Sequence, residues 1–208
     1  MIFGIAVHNT LDQVVKILNE DQDKLTTNAM RDIYTFYLKK ERSVFTDKEY
    51  EDFLTLGKAV LSEFISHKKS NWQTLDKIET EVVIDRVEVE GVPIKGQLDK
   101  IEFTGKTVNV VDYKTGDAKN GLKKLSAPTE GAGPDDTITK QFGGPYWRQI
   151  MFYSLLVIHD KTRDYAMVSG EMDFVEPSDS GEFLSQKVMI NPENETQMKS
   201  IVQSVYHK

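Results

Sequence analysis

Apolar residues recur at helical spacing through the first third of the chain and at strand spacing after it. Over residues 3–19, Ile5, Leu11, Val14, Val15 and Leu18 fall on roughly one stripe, which predicts a helix. Residues 28–42 repeat the pattern through Met30, Ile33, Tyr34, Tyr37 and Leu38. Thr46 followed by Glu49 predicts a capping box that opens a third helix over about 47–68. Its apolar positions include Phe53, Leu56, Val60, Leu61, Phe64 and Ile65.

The period then changes. Glu79–Glu90 alternates through Val82, Val83, Ile84, Val87 and Val89, and Gly91-Val92-Pro93 signals a turn. Ile94–Phe103 predicts a second strand, Thr104-Gly105-Lys106 a tight turn and Thr107–Lys114 a third strand, together an antiparallel meander. The stretch Thr115–Pro145 contains Lys119, Lys123, Lys124 and Lys140, ends in Gly143-Gly144-Pro145, and predicts a long loop. Loops of this length in a compact domain are uncommon and are often functional or mobile. An apolar helix over Tyr146–Asp160, strands over 165–176 and 182–190, and a closing helix over 193–206 complete the chain. This order predicts an α/β or α+β fold around one mixed sheet, with a helical N-terminal third.

A length of 208 residues suits one domain, and 39% hydrophobic residues supply a sizeable core. No apolar run approaches the ~20 residues that span a bilayer, and MIFGIAVHNTLDQ lacks the basic flank of a secretion signal. The absence of cysteine excludes disulfides, thiol catalysis and cysteine-ligated zinc or iron–sulfur clusters, and fits a cytoplasmic location. The net charge of -7 has the wrong sign for nucleic-acid binding by bulk charge. A nucleic-acid role therefore requires a local basic patch, metal ions among the carboxylates, or a partner domain.

Candidate chemistry lies in Gly96-Gln97-Leu98-Asp99 and Val111-Asp112-Tyr113-Lys114. Two adjacent strands each carry one Asp in apolar surroundings, and alternation puts Asp112 and Lys114 on one face with Tyr113 opposite. Such carboxylates suit Mg²⁺ or Mn²⁺, and the lysine can orient water or stabilise developing negative charge. An isolated Asp-x-Lys reads more readily as a buried ion pair beside an unrelated surface Asp.

The wider set of motifs decides between them. Gly96-x-x-Asp99, Asp112-Tyr113-Lys114-Thr115-Gly116, Gln149-x-x-x-Tyr153, and Gly4-x-x-x-His8 followed by Leu11-Asp12 together resemble the PD-(D/E)XK nuclease superfamily. The match is to its RecB-like branch, which includes the AddA and AddB nuclease domains. The stretch Gly143–Tyr153 resembles the C-terminal nuclease domain attached to some UvrD/PcrA-type superfamily 1 helicases. No G-x-x-x-x-G-K-[ST] phosphate loop occurs, so residues 1–208 are expected to be a single nuclease domain excised from a longer helicase–nuclease chain.

The resemblance implies a restriction-endonuclease-like core, a central mixed β-sheet flanked by helices. It implies metal-dependent hydrolysis of DNA, expected to be exonucleolytic, in repair and recombination. His8, Asp99, Asp112 and the Tyr113 carbonyl are the implied ligands of Mg²⁺ or Mn²⁺, and Lys114 is the implied catalytic lysine. Gln149 and Tyr153 are implied to position the DNA backbone or the active-site strand, and Arg148 to contact phosphate. Glu81 is a further acid some relatives carry, though an exposed strand glutamate is the reading favoured here. His8 as an ordinary helix histidine and Tyr153 as a core residue are the competing readings. The proline of the family name is absent before Asp99, a common state in this branch. The partners implied are DNA and helicase domains of the same chain or complex. A catalytically silent DNA-binding or docking module, and an unrelated metal-dependent phosphoesterase, are the alternatives.

Overall fold

A computed structural model describes residues 2–21 and 24–206. Helices α1 (Ile2–Glu20), α2 (Thr27–Lys40) and α3 (Asp47–Trp72) form the N-terminal third. Both parts of the expected capping box are present, the Thr46 side chain on the Glu49 amide and the Glu49 carboxylate on the Thr46 amide. Of the predicted apolar positions, Leu11, Val14, Val15 and Leu18 are buried, whereas Ile5 and Leu56 are exposed. Ile5 instead lines a cleft described below.

Strands β1 (Lys77–Val89), β2 (Val92–Thr104) and β3 (Thr107–Lys114) form the expected antiparallel meander. The first turn is tighter than predicted, because Val92 and Pro93 already pair with β1. The long loop is not structureless. It contains α4 (Ala118–Leu122), a 3₁₀ turn over Lys123–Leu125 and α5 (Ile138–Phe142), with caps at Asp117 and Thr137 that the reading by hydrophobic period missed. Then follow α6 (Pro145–His159), β4 (Ala166–Phe174), β5 (Ser185–Met189) and α7 (Pro192–Tyr206). The sheet order is β1-β2-β3-β4-β5, with β3 and β4 parallel and the other pairs antiparallel, so the sheet is mixed.

Helices cover both faces. One core joins α6 and α7 to Leu98, Ile101, Val108 and Val110. The other joins α1, α2 and α3 to Val111 and Tyr113. The α6 layer lies close to the sheet because Gly96 has no side chain. A Cβ there would come 2.6 Å from Leu156 Cδ1, so a larger residue would push that methyl aside. Among the described residues no helix is long and apolar enough to cross a membrane.

Candidate active site

The two helical layers meet at the C-terminal end of β3, above a cleft of about 520 Å³. β3 presents Asp112 and Lys114 toward α6 and Tyr113 toward the helical third, as strand alternation requires. His8 reaches the same point from α1. Its Nε2 lies 3.0 Å from the Tyr113 carbonyl oxygen and its Nδ1 3.3 Å from Asp99 Oδ2. The amide of the same residue is also engaged, since Tyr113 N–H donates to Asp99 Oδ2 at 3.0 Å.

Asp112 is buried and heavily partnered on one oxygen. Gln149 Nε2 donates to Oδ1 at 2.6 Å and the Tyr153 hydroxyl at 2.8 Å. These residues stand one turn apart on α6 and bond each other at 2.7 Å. Asp112 Oδ2 carries the Lys114 ammonium at 2.5 Å. Lys114 also donates to Gln149 Oε1 at 3.0 Å and lies 4.8 Å from the centre of the Tyr146 ring.

Glu81 completes the group. It was read as an exposed strand residue, and the structure corrects this: it is half-buried and lines the cleft. β1–β2 pairing puts Thr80 opposite Lys100 and Val82 opposite Leu98, so Glu81 falls opposite Asp99. That register depends on a shift between Ile84 and Val87, where Arg86 adopts a positive φ of 60°. Without the shift, counting back from Val89–Val92 would set Glu81 opposite Lys100. The bulge is the feature the sequence did not reveal.

The electrostatics follow from this crowding. Burial and then the charges of Asp99 and Asp12 raise the Glu81 pKa. Burial and then Asp99 raise that of Asp112, against the pull of Lys114 and the Tyr153 hydrogen bond. Burial disfavours a proton on His8, yet the hydrogen bond and charge of Asp99, with Asp112 and the Tyr113 carbonyl, hold its pKa above 6.5. Burial, with Asp112 beside it, pushes the Tyr153 hydroxyl far up, so it remains a donor.

A divalent cation fits this donor set. His8, Glu81 and Asp99 each offer an atom within 4.8 Å of the others. All are hard or borderline ligands. Asp112 stands outside that close group, with its buried Oδ2 paired to Lys114. Arg148 is not gathered in with the others. Its guanidinium donates to the Gly143 carbonyl at 2.5 Å and does not line the cleft. Gln149 and Tyr153 both bond Asp112.

A family model described as the PD-(D/E)XK nuclease superfamily matches residues 2–207. No curated protein matches the chain. Among solved structures, the crystal structure of SSO0001 shares 17% identity at a TM-score of 0.36, covering 97% of this chain and 75% of that one. A protein from Eubacterium rectale named "Putative exonuclease" shares 12% identity at a TM-score of 0.46, covering 93% and 70%.

Proposed function

The chain belongs to the PD-(D/E)XK nuclease superfamily, and from that premise we propose that it hydrolyses DNA phosphodiester bonds with Mg²⁺ or Mn²⁺. The observation that carries this reading is the convergence of His8, Glu81 and Asp99 beside the Asp112–Lys114 pair in one cleft. In it, His8, Glu81, Asp99, Asp112 and the Tyr113 carbonyl would hold the cation. When bound, the cation supplies Lewis-acid activation and charge neutralisation at the phosphate.

The chain's own residues do the rest. Gln149 and Tyr153 hold Asp112 Oδ1 and so fix the direction of Oδ2. The Lys114 ammonium, paired with Asp112 Oδ2 and donating to Gln149, has a third N–H to offer the attacking water or a phosphoryl oxygen as charge develops. The Tyr113 amide orients Asp99 by donating to its Oδ2. Recognition through phosphate and sugar gives little sequence preference.

The finer reading is an exonuclease joined to helicase domains and acting in cytoplasmic DNA repair and recombination. Its support is the likeness of Gly143–Tyr153 to helicase-attached nuclease domains. Incubation with linear and circular DNA, single- and double-stranded, with and without metal, tests the proposal. Metal-dependent cleavage lost in Asp99→Asn is expected. An inert protein on every DNA form, with no metal-induced rise in Tm, would leave the silent-module reading standing.

A further inference from the structure

An acidic nuclease needs some local means of holding phosphate, and the lysines of 115–145 do not contribute equally. Lys119 pairs with Asp179 at 2.7 Å, Lys140 with Asp136 at 3.2 Å, and Lys123 donates to Asn120 Oδ1 at 3.1 Å. Lys124 is exposed, and among the described residues its ammonium makes neither an ion pair nor a hydrogen bond. It lies instead 5.0 Å from the centre of the Tyr146 ring. Lys114 lies 4.8 Å from the same ring. One aromatic side chain therefore carries both the lysine of the site and a second, unpaired one.

The backbone beneath Lys124 is fixed. A Cβ on Gly144 would stand 2.2 Å from the Lys124 carbonyl oxygen, so only glycine allows the 3₁₀ turn to seat on the start of α6. Gly144 N donates to Ser126 O at 2.8 Å, and Leu125 is buried in the α6 core. Lys124 is thereby tied to the helix that carries Gln149 and Tyr153. A lysine with an anchored backbone and an ammonium held over a ring loses less freedom on gripping an anion than one on a loose loop. His8, Glu81, Asp99, Asp112 and Lys114 line the cleft, and Tyr146 and Lys124 lie just outside it, next to Lys114.

We propose that Lys124, braced by Tyr146, binds a backbone phosphate of the nucleic-acid substrate next to the one held at Lys114. This rests on the nuclease reading, and the test separates the two. Binding of a fluorescent single-stranded oligonucleotide is measured by anisotropy over a salt series without divalent cation, for wild type, Lys124→Ala, Lys124→Glu and Lys119→Ala. Cleavage of linear DNA is followed in parallel, and Tm reports the fold. Expected in Lys124→Ala are about tenfold weaker binding and a salt slope shallower by about one. KM should rise with kcat little changed, Lys124→Glu should be worse, and Lys119→Ala should match wild type. Lys124→Glu matching wild type in affinity and salt slope would overturn the inference, as would a Tm loss without any binding change. Wild type that binds through Lys124 but never cleaves would sink the nuclease reading alone. Wild type that neither binds the oligonucleotide nor cleaves any DNA form with Mn²⁺ would sink both.

Discussion

Lys114→Ala separates the electrostatics of the fold from those of the reaction. Lys114 and Asp112 are respectively 19% and 4% exposed at the side chain, and their charged atoms are 2.5 Å apart. Removing one partner of a buried pair typically costs about 3–5 kcal/mol, because the other charge stays buried without compensation. Here Gln149 and Tyr153 still donate to Asp112, and its raised pKa gives the carboxyl an exit by protonation. The lower end, about 3 kcal/mol, is therefore expected without metal. For a domain of this size that is on the order of 10 °C in Tm. A divalent cation facing Asp112 replaces the missing positive charge, so saturating Mn²⁺ should restore most of the loss. The metal-induced rise in Tm should then be larger in Lys114→Ala than in wild type, while cleavage falls at least about a hundredfold. Thermal scans with and without Mn²⁺, beside single-turnover cleavage, read both effects. Equal metal-induced shifts in the two proteins would show that Lys114 does not neutralise a metal-facing carboxylate. Cleavage near the wild-type rate would return the pair to a purely structural role.

Metal-induced stabilisation should also grow with pH. The raised pKa of His8 means that its proton stabilises the metal-free fold fully below the unfolded value of 6.5, and that this gain is lost as pH rises through the folded value. A cation needs the neutral ring, so the Mn²⁺-induced Tm shift should increase across the same window, and a shift independent of pH would exclude His8 as a ligand. In the helical third, Gly57→Ala puts a Cβ 2.1 Å from the Tyr34 ring, whose hydroxyl donates to the Phe53 carbonyl. Overpacking of this kind costs about 1–3 kcal/mol, so a Tm within 1 °C of wild type by calorimetry would contradict the packing.

The helices and the meander were legible because their signals are local. Thr46 and Glu49 specify a cap within one turn, and Thr107–Lys114 lies between unambiguous turn residues. Asp99, Asp112, Lys114 and His8 were legible as an ordered set of motifs, and the fold brings them together. Glu81 was not, because its place opposite Asp99 depends on a one-residue register shift that nothing in Glu79–Glu90 announces. The seating of Lys123–Leu125 on α6 was equally hidden. Gly143-Gly144 reads as a break in a sequence, and its use as a contact surface exists only in three dimensions.

Register is the deeper problem for β3, which is buried on both faces from Val108 to Tyr113. Val108 and Val110 enter one core and Val111 and Tyr113 the other, so hydrophobic matching barely resists a one-residue slip. Asn109 supplies the missing discrimination. It donates to Glu102 on β2 and to Glu171 on β4, each at 3.0 Å, and accepts from Ser169 on β4 at 2.8 Å. Glu102 in turn holds Lys100, which is fully buried 4.6 Å from the Trp72 ring centre and 5.1 Å from that of Tyr113. Buried ionic groups add little net stability, and fixing register is their best-attested use. A slip of β3 would strand several of these groups at about 1–3 kcal/mol each, a penalty apolar pairing cannot offset. The same slip would carry the Tyr113 amide away from Asp99 and turn Asp112 to the wrong face. The polar ladder on the back of the sheet therefore keeps the carboxylates and the lysine on its front in one arrangement.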